Sequence, residues 1–179
     1  MTIQINYKDS NLKTSSNNLV LFVGENFDIT RLKKYISSSE YKYISDLLKN
    51  SDLKKDLLFF EINSKKTIFL ISIKKELKIT DIESLGAKFH SLISKEKKNN
   101  FFVNSDTVIS KDQNFFGHFL HGLKLKSYKF NTYKSKKEKN NISINIFGKK
   151  NKIFVKNYLR FKSLEEGIYL TRDLVSEPG

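Results

Sequence analysis

Two histidines, His118 and His121, stand three positions apart in a phenylalanine-rich stretch. On a helix that spacing turns both imidazoles to one face, which is how two ligands reach a single metal ion. The acidic partner of a metalloprotease helix is missing, however, and Asp112 lies more than a turn away. The pair therefore reads as surface or partly packed histidines, and His90 as a residue at the margin of an apolar stripe. The carboxylates Asp52, Asp56, Glu61, Asp81, Glu83 and Asp106 fall in expected loops and helix starts, where capping and solvation account for them. General acid and base work needs two such groups at a defined separation, and no spacing supplies that pair. Gly24 follows an apolar run, as the first residue of a phosphate loop does. Such loops need several glycines, and the seven glycines of this chain never cluster. With no cysteine there is no thiol catalysis and no disulfide, which fits a reducing, cytoplasmic setting.

The strongest electrostatic feature is basic. Residues 122–162 carry twelve lysines and Arg160 against one acid, Glu138. Lys124, Lys126, Lys129, Lys134, Lys136 and Lys137 are candidate phosphate contacts, with Tyr128, Phe130 and Tyr133 interleaved to stack on bases. The alternative is that the aromatics belong to the core and the lysines to a solvated loop. Of 33 basic residues only Arg31, Arg160 and Arg172 are arginine, whereas recognition of phosphates and bases usually draws on the guanidinium fork. Lys, Asn, Ile and Phe all have A/T-rich codons, so a biased genome accounts for the net charge of +14 equally well.

These residues must be placed by one folded domain, since 179 residues with 39% apolar content can bury a core. No run has the length of a membrane span and the N-terminus lacks the pattern of a signal peptide. Ile3, Ile5 and Tyr7 alternate with polar neighbours as in a half-buried strand, polar residues 8–18 form a loop, and Leu19 to Val23 reads as a buried central strand. Leu32, Tyr35, Ile36, Tyr43, Ile44, Leu47 and Leu48 recur at helical spacing, interrupted at Ser37, Ser38 and Ser39. Leu57 to Ile62 and Thr67 to Ile73 form an expected hairpin. Thr80 with Glu83, and Ser110 with Gln113, have capping-box spacing ahead of two further amphipathic helices. Phe101 to Val103 and Asn141 to Phe147 read as strands, and Ile153 to Val155 as a continuation of the sheet. Strands interleaved with helices predict an α/β domain, a three-layer α/β/α sandwich on a mixed central sheet.

The last stretch reads as a helix opened by a Ser163 and Glu166 capping box and stopped by Pro178. This predicts a domain over 1–162, a linker helix over 163–179 and a domain cut from a longer protein. Three segments carry a resemblance. Thr171-Arg172-Asp173-Leu174-Val175-Ser176-Glu177-Pro178 is similar to the Ala-Arg-Asp-Leu-Val-Asn-x-Pro segment of the leucyl (cytosol) aminopeptidase family. The stretch from Gly122 to Lys137, with Tyr128, Phe130, Tyr133 and Lys134, resembles that family's Tyr-x-Phe-x-x-Tyr/Leu-Lys run, and Tyr43 to Leu48 resembles its first helix. Order and spacing agree across nearly all the chain, with Ser176 in place of the usual Asn and a more basic charge.

The resemblance implies the N-terminal, noncatalytic domain of such an enzyme, macro-domain-like in fold, serving assembly or access. The implied parent is a cytoplasmic hexamer that removes N-terminal residues from peptides with two divalent metals, Zn or Mn, held by the C-terminal catalytic domain. The family's metal-ligating Lys, Asp and Glu motifs do not occur in these 179 residues, so neither catalytic nor metal residues are expected here and the fragment alone should be inactive. Two other readings stay open: a macro-like binder of ADP-ribose or nucleotides, and a nucleic-acid module on residues 122–162.

Overall fold

The structure is a computed structural model that describes residues 2–8, 18–96, 98–110, 112–130, 141–149 and 151–177. Its strands follow the apolar periodicity: β1 (Thr2–Lys8), β2 (Asn18–Val23), β3 (Leu57–Asn63), β4 (Lys66–Ser72), β5 (Asn100–Asn104) and β6 (Asn141–Phe147). They form one sheet in the order β1-β6-β5-β2-β4-β3. All neighbours pair in parallel except β3 with β4, the antiparallel hairpin, so the sheet is mixed as expected. Every residue of β2 is buried, as a central strand packed on both faces requires.

The two faces carry different cores. Val20 and Phe22 of β2 point to the side of helices α2 (Ile79–Ile93) and α3 (Phe115–Ser127). There Phe22 meets Phe115, Phe116 and Phe119 edge-on, with ring centroids 5.7, 5.7 and 5.4 Å away. Leu19, Leu21 and Val23 point to the opposite side, against Phe27, Ile29, Leu32 and Ile36 of two 3-10 turns and their flanks, and Ile44 and Leu48 of helix α1 (Ser38–Leu48). Helices thus cover both faces, and the expected three-layer α/β architecture holds.

Helices α2 and α3 cross on a pair of glycines far apart in sequence. A Cβ on Gly86 would lie 1.9 Å from the Phe119 carbonyl oxygen, and one on Gly122 would lie 2.0 Å from the Glu83 carbonyl oxygen. Only glycine at both positions lets the two backbones approach this closely.

The helix starts differ from the spacing rules. The serine run opens α1: Ser37 Oγ accepts from the Glu40 N–H and the Glu40 carboxylate accepts from the Ser37 N–H, a complete capping box. Helix α2 starts ahead of the expected box, with the Asp81 carboxylate accepting from the Lys78 N–H at 3.0 Å, which frees Glu83 for another partner. Ser110 accepts from Asp112 N–H, and Asp112 from Asn114 N–H, in turns that precede α3. The largest correction concerns the last helix. Helix α4 runs without a break over Asn151–Ser176, so Ile153 to Val155 are helical and Ser163 lies mid-helix. A three-residue β-branched and aromatic run is too short to distinguish strand from helix, and Tyr158, Phe161 and Glu165 continue its three- and four-residue spacing. Of the loop expected over 8–18, Lys8 ends β1 and Asn18 opens β2, and 9–17 lie outside the described residues, as do the lysine-rich loop with Lys134, Lys136 and Lys137 and the Pro178 stop.

Candidate functional site

The polar side chains that the fold brings together lie mainly along one seam, where α4 packs on α3. Positions 118, 121 and 124 recur along one face of α3, with Tyr128 just past its end, and 158, 161, 165, 169 and 172 along one face of α4. At the centre sits Glu165, 4% exposed. Its Oε1 lies 3.2 Å from His121 Nδ1, and its Oε2 accepts from the Tyr158 hydroxyl at 2.8 Å. Glu165 accepts here only from a His121 tautomer that carries its proton on Nδ1. Burial pushes the Tyr158 hydroxyl far above the ordinary tyrosine range, and the Glu165 charge adds to it. Tyr7 on β1 is raised by burial and the same carboxylate, and its buried hydroxyl has no partner among the described residues.

One turn away His118 Nδ1 lies 3.3 Å from Glu83 Oε1, the carboxylate released by the earlier start of α2. The Phe161 ring covers both histidines, 4.8 Å from His118 and 5.2 Å from His121. It fits because residue 117 is glycine: a Cβ there would sit 2.5 Å from the ring. Toward the end of α3, side chains of α4 take over the carbonyls that the last helical turn leaves unpaired. The Tyr169 hydroxyl donates to Lys124 O and the Arg172 guanidinium to Leu125 O at 2.9 Å. Arg172 also lies 5.3 Å from the Tyr128 ring, whose hydroxyl donates to Asp173 at 2.7 Å.

The cluster has the ingredients of acid and base chemistry, a carboxylate, an imidazole and a phenol, but both Glu165 oxygens have protein partners. With Glu165, His121 and Tyr158 at 4, 6 and 7% exposure, it is a packed joint with no room for a substrate. The two histidines do not share a metal: each faces a different glutamate, and no group of three potential ligands forms among the described residues. A two-metal centre therefore does not fit this donor set. Glu165 is the residue that spacing alone missed, because its partner is 44 positions away in sequence.

Of the candidate lysines, Lys124 is drawn into the joint. Its Nζ donates to the Ile3 carbonyl of β1, and burial lowers its pKa, with Glu165 opposing and Lys162 adding to the fall. Lys126 and Lys129 are exposed. Lys134, Lys136 and Lys137 lie outside the described residues.

Fold and seam together define a class: a mixed-sheet α/β domain whose long last helix is fastened by buried polar contacts. Solved structures narrow it. A tomato leucine aminopeptidase variant superposes with a TM-score of 0.72 at 18% identity over 99% of this chain. The cytosol aminopeptidase of Coxiella burnetii gives 0.59 at 15% over 97%, and the bottromycin maturation enzyme BotP, in complex with Mn, gives 0.62 at 9% over 92%. This chain spans only 39, 33 and 32% of those three chains. The fold is therefore one that leucine aminopeptidases contain as part of a longer chain. No sequence-family profile and no characterised protein matches the chain by sequence. No helix among the described residues is long and apolar enough to cross a membrane.

Proposed function

We propose that this chain is the N-terminal, noncatalytic domain of a leucyl aminopeptidase, and that α4 carries it toward the catalytic domain. The observation behind this is the fold match, which covers 99% of this chain but 39% of the tomato enzyme. The end of α4 supports it: Leu170, Leu174 and Val175 are 62, 62 and 82% exposed, beside residues that clamp the same helix to α3. Exposed aliphatic side chains on a docked helix suit a surface that a following domain covers. In this reading the parent binds two divalent cations in its catalytic domain, activates a water between them and releases N-terminal residues from peptides. The present domain would contribute to assembly of a hexamer or to access of peptides, in the cytoplasm.

The coding sequence after Gly179 tests the origin directly. Metal-ligating Lys, Asp and Glu motifs are expected there, and an unrelated continuation or a stop codon would end the proposal. The purified chain should not hydrolyse leucyl substrates with added Mn²⁺ or Zn²⁺. Metal-dependent turnover by the chain alone would show that its assignment as noncatalytic is wrong.

A further inference from the structure

The two edges of the sheet are finished differently. At β1 the Lys124 ammonium donates to the Ile3 carbonyl, and α4 lies against the strand. At the opposite edge β3 is hydrogen-bonded to β4 alone. The Ser72 N–H donates to Asp56 O at 2.9 Å, one step before the Leu57 and Ile71 pair, which fixes the phase of the ladder. In an antiparallel ladder, residues bonded to the neighbour alternate with residues whose N–H and C=O point away. Leu58 and Phe60 therefore bond to β4, while Leu57, Phe59 and Glu61 turn their backbone groups outward. Such an edge is a template for another strand.

The side chains of Leu57, Phe59 and Glu61 share one face of the strand, the face of α2 and α3. Phe59 stacks on Phe69 with ring centroids 5.9 Å apart, yet it stays 42% exposed. Leu57 and Leu92 of α2, both half-buried, line an open hollow of about 420 Å³ beside it. Lys55 lines the same hollow, so this face continues past the start of β3. Lys55 is exposed and makes no ion pair among the described residues. Glu61 lies 3.4 Å from Lys98, but its side chain is 67% exposed.

Along this face, positions 55, 57, 59 and 61 run cation, leucine, phenylalanine, acid. An antiparallel copy presents the same face in reverse, as acid, phenylalanine, leucine, cation. A two-fold axis at Leu58 therefore sets Leu57 opposite Phe59 of a second copy and Lys55 opposite its Glu61, each pair occurring twice. The same register pairs only outward-facing backbone, 57 with 59, so ladder bonds and side chains agree. A slip of one residue sets outward-facing backbone against inward-facing backbone. A slip of two in either direction places Glu61 opposite a leucine, Leu57 or Leu53. Register is specified where one pairing satisfies the side chains and its neighbours do not.

From this self-complementary edge we propose that the partner of β3 is β3 of a second copy of the chain, paired antiparallel about Leu58 so that the two sheets become one. The contact is isologous, with the same surface given by each copy. Phe59 of each copy lies against Leu57 of the other, at the hollow that Leu92 closes from the α2 side. Lys55 and Glu61 pair across the axis at both ends and set the register. The inference rests on the strand edge and stands whether or not the parent is an aminopeptidase, which the coding sequence after Gly179 tests separately.

The test is sedimentation equilibrium on the 179-residue chain at physiological salt, where charges more than roughly 8 Å apart are screened. A monomer and dimer in equilibrium are expected, with a dissociation constant on the order of 10–100 μM for so small a contact. Lys55→Glu and Glu61→Lys should each weaken the dimer roughly tenfold or more, since each sets like charges opposite one another twice. The variant carrying both substitutions has the parent net charge and should recover the parent affinity. In the parent chain, exchange of the outward Phe59 amide should slow as concentration rises, while that of Leu58, bonded to β4, should not change. Both charged positions are exposed, so the variants should keep the thermal midpoint of the parent chain. Should one of them shift it, the amide exchange of the unaltered chain decides the matter. A chain that stays monomeric at millimolar concentration would overturn the proposal. So would a dimer that leaves Phe59 exchange independent of concentration, as pairing through the exposed Leu170, Leu174 and Val175 of α4 would, or a double variant that fails to recover.

Discussion

The seam between α3 and α4 and the crevice between β2 and β5 each gather a carboxylate, a tyrosine and cationic groups, yet they differ in how those groups are satisfied. At the seam Glu165 has a donor on each oxygen, and its partners are almost fully buried. At the crevice Arg31 and Lys34 face open space across from Asp106. Perturbed tyrosines occur at both, raised first by burial. A shifted pKa therefore does not separate a joint from a binding site. Exposure does.

The largest effect should come from the element that positions the seam. Gly122→Ala or Gly86→Ala places a methyl group inside the van der Waals radius of a facing helix carbonyl, so α2 and α3 must move apart. We expect a loss of about 3 kcal/mol or more in urea unfolding. A change below about 1 kcal/mol would show that the helices separate easily and that the seam is not rigidly placed.

Next comes the seam itself. Glu165→Ala strips both His121 and Tyr158 of their acceptor and should cost about 2–3 kcal/mol, with Glu165→Gln intermediate because it keeps one acceptor oxygen. If the alanine variant unfolds at the same denaturant concentration as the parent chain, the carboxylate is not what fastens α4.

What was legible beforehand follows from the range of each interaction. Period-two alternation marked β1 and β6, and the continuous apolar run marked β2, because each pattern is set by residues within one strand. Strand order was not legible, since it depends on which connection crosses which face. The capping rule was right in kind and wrong in place. Ser37 and Glu40 cap α1, whereas Ser163 and Glu166 have the same spacing inside α4, where helix packing against α3 overrides it. His118 and His121 were visible as a pair facing one way, but Glu83 and Glu165 come from two other helices and assign each histidine a separate partner. Gly86 and Gly122, scattered in sequence, meet in space for the same reason. Lys124 looked like its lysine neighbours until β1 supplied an acceptor at Ile3.

A smaller effect concerns pH. His90 is buried with neither ring nitrogen partnered among the described residues. Burial, then Lys126 and Lys129, lowers its pKa below the usual 6.5. The unfolded chain therefore takes up a proton in the window where the folded one does not. The stability tied to neutral His90 is present above the unfolded pKa and drains away as pH falls below it, until the folded value is passed. Urea midpoints should fall between about pH 7.5 and 5.5, and His90→Leu should flatten that slope. The carboxylates act lower down. Burial alone would raise Glu40, but Lys66 and the Ser37 N–H hold it below its usual range, so its contribution fades only in acid below about pH 4.5. A slope unchanged in His90→Leu would assign the effect above that point to another group.

The smallest effect on stability is expected at the crevice, and this is the sharpest contrast with the seam. Arg31 and Lys34 are exposed and bonded to no acid at hydrogen-bond distance among the described residues. Arg31→Ala with Lys34→Ala should therefore change unfolding free energy by no more than about 0.5 kcal/mol, the usual range for surface positions. The change is instructive because the same kind of deletion at Glu165 should cost several times more. Residues that the fold bonds should cost stability when removed, and exposed charges that it does not bond should not. A double variant that unfolds as easily as Glu165→Ala would mean that Arg31 and Lys34 hold the segment after β2 in place, and the crevice would then be a second joint.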